Sequence, residues 1–314
     1  MKKILGYLKK HISEDFNLGF YLFTAVFLAS AFWINYTFKF RREVIDSAAT
    51  EWLKLLYYAL FFAFPYYVTS VAYAFFYRKW DFLKSRAFWG VSGFMIFVLT
   101  LNRSTISMSD VILEAVSIPQ EVSQLAWLIL LYILRIATML LPLIIFKLIW
   151  DRSRTDFYGL TTKNFDATPY LLMLLLMLPL ILWASFQPAF LKTYPRYKPS
   201  AAEVFLQLPY TATMLIFQIF YALRFVMVEL FFRGFAVMAM PAAMGRGVIM
   251  PMVVLYAFWH FGKPMGEALG SIFGSYILGI LALESGSVLG GVFVHMGIAL
   301  LMDWAAYLQV TYFK

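Results

Sequence analysis

The chain has 314 residues, of which 62% are hydrophobic and only 14% are charged, with a net charge of +9. Soluble domains carry about 25% charged residues, so the composition excludes a soluble globular protein and predicts a polytopic membrane protein. The Lys and Arg residues lie beside apolar segments, which excludes a nucleic-acid partner and predicts contact with membrane lipid. The absence of cysteine excludes disulfides, iron–sulfur clusters and a cysteine nucleophile.

The first predicted region, 1–168, contains a basic N-terminal segment and about four spans. Residues 1–16 combine lysines with apolar residues, which indicates either an amphipathic segment at anionic headgroups or a frayed tail. The lysines are Lys2, Lys3, Lys9 and Lys10. Spans are predicted at 18–38, 52–77, 88–101 and 125–150, with a polar segment at 102–123. Arg135 lies inside the fourth span, where we expect it to contact a carboxylate or backbone carbonyls.

The second predicted region, 169–314, follows the polar segment 151–168. Its spans are predicted at 169–185, 204–233, 247–261, 268–283 and 288–307. The 204–233 span would reach about 45 Å at 1.5 Å per residue, so it must tilt, protrude or kink at Pro209. Gly270 and Gly274 form a GxxxG pair, which allows another helix to approach closely. The whole chain is predicted to be an all-α transmembrane bundle of about eight or nine spans.

Glu229 and Arg233 are charged residues inside the long apolar span 204–233. Because they are four residues apart, an α-helix places them on one face within pairing distance. A charge at the bilayer centre costs at least about 2.5–3.5 kcal/mol, so the pair requires a role. Two alternatives stay open: a structural ion pair that locks two helices, or a buried polar site completed by His260 and His295.

Glu229, His260 and His295 lie on three different predicted spans and could form a three-ligand zinc site. Such a site keeps one coordination position open for a water whose pKa the metal lowers. The spacing is weak support, because no two of these ligands share a helix as they do in HExxH. A single histidine in a membrane helix is often a hydrogen-bonded core residue, and this alternative stays open as well.

Three motifs in this half of the chain resemble those of the CPBP family of intramembrane metalloproteases. The family includes the CAAX prenyl endopeptidases and the bacterial Abi proteins, and its patterns are EExxxR, an aromatic residue with His four later, and HxxxN. The matching stretches are Glu229-Leu-Phe-Phe-Arg233-Gly234, Tyr256-Ala-Phe-Trp-His260 and Gly290-Gly-Val-Phe-Val-His295. The resemblance covers roughly 205–305 and implies a CPBP-like transmembrane core in the second region. It implies Glu229, Arg233, His260 and His295 as catalytic residues, and His260, His295 and Glu229 as ligands of a divalent metal, zinc.

Two positions depart from the family pattern. Val228 occupies the place of the first Glu, which the family uses to activate the attacking water, and Ala299 occupies the place of the Asn. Loss of a general base typically costs about 10²–10⁴-fold in rate. Glu229 points about 100° away from position 228 around the helix, and Asp303 and Glu267 are the other carboxylates of this region.

Two functions therefore stay open. The resemblance implies a metal-dependent peptide hydrolase that acts on a membrane peptide or protein, expected in a bacterial inner membrane, with Arg233 holding Glu229 in place. The replacements at 228 and 299 favour a catalytically inactive CPBP-fold protein that acts as a scaffold or binds a partner protein. A transporter is less consistent with the sequence, because Gly- or Pro-broken spans do not recur at matching places in the two halves.

Overall fold

The structure is a computed structural model that describes residues 2–163 and 165–313. The side chains of residues 2 and 3, and with them the predicted lipid contacts of Lys2 and Lys3, lie outside the description. Over the described residues the regular secondary structure is all helical and includes no strand, which confirms the predicted all-α transmembrane bundle. Eight helices in this part of the chain are long and apolar enough to cross a membrane, or up to nine if a bent pair is one span.

The helices follow the predicted spans. They are α1 (Lys2–Asp15), α2 (Leu18–Thr37), α3 (Glu51–Tyr77), α4 (Asp81–Lys84), α5 (Arg86–Arg103), α6 (Thr105–Val116), α7 (Gln120–Ile149), α8 (Thr168–Ser185), α9 (Pro188–Thr193), α10 (Ala202–Leu206), α11 (Tyr210–Glu229), α12 (Ala236–Met238), α13 (Ile249–Trp259), α14 (Met265–Ser285) and α15 (Leu289–Tyr312). Two π-helical segments, Arg41–Asp46 and Leu230–Phe235, and a 3₁₀ segment, Ala242–Val248, complete them. Large apolar side chains stay exposed along these helices, among them Trp52, Trp183 and Phe273, as expected of surfaces that face lipid chains.

The structure differs from the predicted spans at two places. Most of the polar segment 102–123 is helical, since it contains the end of α5 and the whole of α6. Ser104, just after α5, donates its hydroxyl to a backbone carbonyl of α5, and Ser109 donates to a backbone carbonyl of α6. These polar side chains therefore need no water to satisfy them. The long span begins at Tyr210 instead of 204, since Gln207 ends α10 in the left-handed region and Pro209 precedes α11.

Contacts divide the described residues into two compact units. Unit 1 comprises residues 2–104, 146–163 and 230–288, and unit 2 comprises 105–145, 165–229 and 289–313. In unit 1, α13 packs on α3 and α14, and α1 packs on α14; in unit 2, α15 packs on α8 and α11. Each unit contains residues of both predicted regions, 1–168 and 169–314. The division of the chain into these two regions therefore stays a prediction.

The basic N-terminal segment is the helix α1 in unit 1, packed on α14 and not a frayed tail. Two ion pairs join it to the rest of the unit: Lys10 to Glu284 at 3.2 Å, and Glu14 to Arg246 at 3.0 Å. α1 is not among the helices apolar enough to span a membrane. The segment is therefore helical and amphipathic, as one alternative predicted, and ion pairs hold it.

His11 and Asp15 are buried on α1, with 4.0 Å between His11 Nε2 and Asp15 Oδ2. Burial lowers the pKa of His11 from 6.5 to about 4 and raises the pKa of Asp15 from 3.8 to about 6. Between these values the folded pair is uncharged, whereas in the unfolded chain both side chains are charged. Each state then carries one proton on the pair, so the pair adds no pH dependence to the stability of the wild-type protein.

Replacing His11 by Gln leaves the raised pKa of Asp15 uncompensated. The folded state then binds the proton of Asp15 more tightly than the unfolded state does. The stabilisation from protonated Asp15 is therefore complete below pH 4 and is lost as the pH rises through 6. We expect His11→Gln to lose about 2 kcal/mol relative to the wild type between pH 4 and 6, measured by unfolding in detergent. Asp15→Asn should show the opposite slope, with stability that rises with pH. Parallel profiles for all three proteins would contradict the prediction.

Candidate active site

Glu229 and His295 form a hydrogen-bonded pair inside unit 2. Glu229 is the last residue of α11 and is fully buried. Its Oε1 atom lies 2.7 Å from Nδ1 of His295 on α15, a helix that packs against α11. A carboxylate and an imidazole that stand 66 residues apart in the sequence are thus brought together as two of the predicted site residues.

Two glycines of α15 make room for this pair. A Cβ atom at Gly291 would lie 2.2 Å from Oε2 of Glu229, so the missing side chain allows the carboxylate to lie against the α15 backbone. A Cβ atom at Gly290 would lie 2.1 Å from the ring of Tyr170 on α8. The Gly-Gly sequence of the third motif therefore serves two contacts, one with the carboxylate and one with a neighbouring helix.

The His295 ring lies between the carboxylate and an aromatic side chain. Phe225, one turn before Glu229 on α11, has its ring 4.6 Å from the His295 ring, centroid to centroid. The acceptor at Nδ1 favours the tautomer with hydrogen on Nδ1, which carries its lone pair on Nε2. The side chain of His295 is 19% exposed, whereas its carboxylate partner has no exposed surface.

Arg233 and His260 lie in unit 1, and both contact Tyr256. The guanidinium carbon of Arg233 lies 4.3 Å from the centroid of the Tyr256 ring. Nδ1 of His260 lies 2.9 Å from the main-chain oxygen of Tyr256, at the C-terminal end of α13. Both charged or titratable side chains are almost completely buried. The second motif therefore supplies an aromatic face for the arginine and a carbonyl acceptor for the histidine.

A segment at the start of the 230–288 part of unit 1 departs from the α-helical geometry on which one prediction depended. Leu230–Phe235 is π-helical, and all six of its residues are buried. A π-helical turn has more residues than an α-helical turn, so the relative orientation of Glu229 and Arg233 does not follow from their α-helical spacing. The two residues belong to different units, and their pairing stays a prediction.

Residues 208–301 match the family model described as type II CAAX prenyl endopeptidase Rce1-like. The segment is similar to that family, and we refer to it as the Rce1-like domain. The resemblance to the CPBP family is confirmed, although the match covers less than a third of the chain. No curated protein and no solved structure gave a match. With its apolar helices, the chain is an integral multi-pass membrane protein.

The metal site predicted in the Rce1-like domain is assembled only in part. The structure brings Glu229 and His295 together, while His260 belongs to the other unit. Among the described residues, no group of three or more His, Cys, Asp or Glu side chains is arranged to hold a metal. The three-ligand zinc site therefore stays a prediction.

The two residues of the Rce1-like domain that depart from the family pattern lie in the apolar core. Val228 is fully buried, and Ala299 belongs to a buried cluster with Phe217, Tyr221 and Phe225. Neither position can hold a proton or a hydrogen bond through its side chain. The general base and the amide of the family pattern are therefore replaced by packing.

The other two carboxylates of this region have structural contacts. Asp303 Oδ1 accepts the main-chain N–H of Arg196 at 2.7 Å, and Oδ2 accepts from Gln218 at 3.4 Å. Glu267 pairs with Lys263 one turn earlier on the chain. Each carboxylate is bonded to residues that are not adjacent to Val228 in the sequence, so neither is assigned the role of the missing base.

A cavity of about 720 Å³ lies in unit 1, but none of the four predicted site residues lines it. Its two arginines are each paired with a carboxylate, Arg154 with Asp156 at 2.8 Å and Arg246 with Glu284 at 2.7 Å. These pairs cancel the charge of its walls. Because the cavity holds no histidine, we assign it no part in the candidate active site.

Proposed function

We propose that the protein is a membrane-embedded, metal-dependent peptide hydrolase, and that the Glu229–His295 pair belongs to its reactive centre. The observation that supports this proposal is the buried carboxylate 2.7 Å from an imidazole nitrogen within the Rce1-like domain. A buried carboxylate in a membrane span is costly and marks a functional site by default. The substrate class would be a membrane peptide or protein.

The contacts of both histidines suit metal ligands. A histidine that binds a metal through one ring nitrogen commonly donates its other N–H to a carboxylate or a backbone carbonyl. His295 has a carboxylate at Nδ1 and His260 has a backbone carbonyl at Nδ1. Each is therefore a candidate ligand through Nε2, for zinc or another divalent ion. A bound metal of this kind would supply Lewis acidity toward a peptide carbonyl.

In this proposal Glu229 acts on His295 and not directly on a substrate. Its carboxylate fixes the imidazole orientation and keeps the proton on Nδ1, which raises the basicity of Nε2. This positioning role differs from the ligand role that the family resemblance implies for Glu229. It is also compatible with Val228, because a carboxylate engaged with His295 does not need to replace the missing base.

Metal content per chain tests the proposal. We expect the purified protein to hold near-stoichiometric zinc or another divalent metal by mass spectrometry, and His260→Ala and His295→Ala each to lose it. His11→Ala is the matched control, because His11 is the remaining histidine of the chain, is buried like His260, and lies outside the Rce1-like domain. A wild-type protein without metal, even after zinc is supplied at neutral pH, would overturn the metalloprotease proposal.

A second candidate function is a catalytically inactive member of the family that binds a partner protein. The apolar packing of Val228 and Ala299 favours it. In that case the Glu229–His295 pair is a structural contact between α11 and α15. The metal measurement separates the two functions, since a structural pair predicts that His295→Ala changes stability without changing metal content.

A further inference from the structure

The C-terminal turn of α13, residues 259–263, carries His260 and belongs to unit 1. His260 and Phe261 are both buried. An α-helix leaves its last four carbonyl groups without partners inside the helix, and a buried carbonyl that makes no hydrogen bond is costly. The donors that reach these carbonyls therefore decide how firmly the turn, and with it His260, is held in place.

Three side chains of α2 and α5 donate to carbonyls of this turn. The hydrogen bonds are Arg103 Nη2 to Trp259 O at 2.9 Å, Asn35 Nδ2 to Phe261 O at 3.1 Å, and the hydroxyl of Tyr36 to Lys263 O at 2.8 Å. Two of the acceptors belong to the residues immediately before and after His260. We call Arg103, Asn35 and Tyr36 the α13 clamp.

α13 depends on the clamp because it does not end as the helices packed on it do. α3 and α14 end at a residue in the left-handed region, Arg78 at φ 55° and Gly286 at φ 69°, whose main-chain N–H returns to carbonyls of the same helix. α13 ends at His260 with φ −89° and ψ −6°, outside that region. The carbonyls at 259 and 261 are then satisfied by side chains of other helices.

Arg41 supports the clamp from the π-helical segment that follows α2. Its guanidinium pairs with Asp46 at 3.0 Å and donates to the hydroxyl of Tyr58 at 3.1 Å. A Cβ atom at Gly262 would lie 1.2 Å from Arg41 Nη1, so the turn packs directly on this guanidinium. The main-chain N–H of Arg41 donates to Asn35 Oδ1 at 3.2 Å. This bond occupies the amide oxygen of Asn35 and directs its nitrogen to the turn.

Arg103 is the charged member of the clamp. Its guanidinium carbon lies 5.0 Å from the ring centroid of Tyr58 and 5.7 Å from that of Phe62, both on α3. These cation–π contacts hold the side chain in place, and its donor meets the C-terminal end of α13, where the helix dipole favours a cation. Arg103 is therefore held by α3 and acts on α13.

We propose that the α13 clamp positions His260 for its role in the reactive centre. It fixes the turn in the conformation in which His260 Nδ1 lies 2.9 Å from Tyr256 O, so that Nε2 is the candidate ligand atom. All three clamp residues precede residue 208, where the family match begins. Helices outside the Rce1-like domain would thus contribute to the site. The inference rests on the proposed function only for the role of His260 as a metal ligand.

Chemical labelling of the three histidines in the metal-free protein tests the inference. The full chain in detergent, stripped with EDTA, is treated with diethyl pyrocarbonate at neutral pH, and modification of each histidine is followed by mass spectrometry. We expect Arg103→Gln to raise the labelling rate at His260 about 10–100-fold, as the loss of a charge-assisted hydrogen bond implies. The rates at His11 and His295 should stay at their wild-type values, since neither residue contacts the clamp.

Three further variants make the labelling specific. Arg103→Lys should give a smaller rise at His260, because a lysine keeps the charge but not the planar donors. Tyr36→Phe removes one donor at almost constant volume, so it tests the same turn even if Arg103→Gln does not fold, and a rise confined to His260 is again expected. Arg86→Gln, an exposed position at the other end of α5, is the control. An unchanged rate at His260 in the clamp variants, or an equal rise at all three histidines, would overturn the inference.

Zinc affinity measures the consequence for the reactive centre. The Kd of zinc is measured by competition with a chelator, at a temperature where every variant is folded. We expect Arg103→Gln to bind zinc about 10–100-fold more weakly, as for other residues that orient a ligand, and Arg103→Lys to fall between it and the wild type. An unchanged Kd in Arg103→Gln would overturn the positioning role. A wild type that binds no zinc would refute the hydrolase alone, because the labelling result requires no metal.

Discussion

Glu229→Ala is expected to destabilise the protein by about 3–5 kcal/mol, the usual cost of removing one partner from a buried polar pair. The substitution removes the acceptor 2.7 Å from Nδ1 of His295 and leaves a space beside Gly291 in a fully buried position. The free energy of unfolding in mixed detergent measures the loss. If metal is bound at His295, the same variant should also lower metal affinity by about 10–100-fold, because the ligand loses its orienting carboxylate.

Two variants make this experiment specific. Glu229→Gln keeps the volume and one acceptor oxygen, so we expect a smaller loss of about 1–3 kcal/mol. Glu267→Ala removes a carboxylate from α14 whose side chain is 23% exposed and paired with a lysine, where about 0–1 kcal/mol is expected. Equal losses for Glu229→Ala and Glu267→Ala would show that the buried pair adds nothing beyond a surface ion pair.

The outcome also bears on the choice between the two candidate functions. A scaffold needs the Glu229–His295 contact only for packing, so stability and partner binding would fall together and metal content would not be involved. A hydrolase needs the orientation of the imidazole as well. A Glu229→Gln protein that unfolds near the wild-type midpoint but binds metal more weakly is therefore expected only of the hydrolase.

The spans were predictable because the membrane imposes a simple rule on the sequence. Every backbone group in the hydrocarbon must be satisfied within the segment, which demands long helices of apolar residues. The rule is less informative where polar side chains form hydrogen bonds within their own helix. In α6, for example, the hydroxyl of Ser109 donates to the backbone carbonyl of Thr105. It also gives no information on which helices are neighbours, and the composition of the two units was not predictable from it.

The candidate site residues were identified from the resemblance of three motifs to a known family and not from the spacing of residues in the sequence. Glu229 and His295 lie on different helices, and nothing local in the sequence indicates that their side chains meet. The α-helical spacing between Glu229 and Arg233 does not decide whether they pair, because the chain turns π-helical at Leu230.

Two residues show how a pattern and its context can disagree. The GxxxG pair allows a close helix approach, but no described atom lies within 4 Å of a Cβ built at Gly270 or Gly274, so no helix of the described residues uses this space. Small residues permit close packing and do not cause it.

Gly291→Ala should disturb the reactive centre without removing any of its functional groups. The new Cβ atom would lie 2.2 Å from Glu229 Oε2, well inside contact distance, so the carboxylate must move. Overpacking of this kind costs about 1–3 kcal/mol, and the displacement lengthens the hydrogen bond to His295. We expect lower stability, measured by unfolding in detergent, together with weaker metal binding.

Gly270→Ala on α14 is the matched control, because a Cβ atom there meets nothing within 4 Å. Alanine is favoured over glycine in a helix by about 0.5–1 kcal/mol, so this variant should be as stable as the wild type or more so. Opposite changes in stability for these two Gly→Ala substitutions are expected only if the carboxylate of Glu229 fills the space beside Gly291. If Gly291→Ala is also neutral, the carboxylate has room to shift while keeping its partner, and the close packing of Glu229 against α15 is not what orients His295.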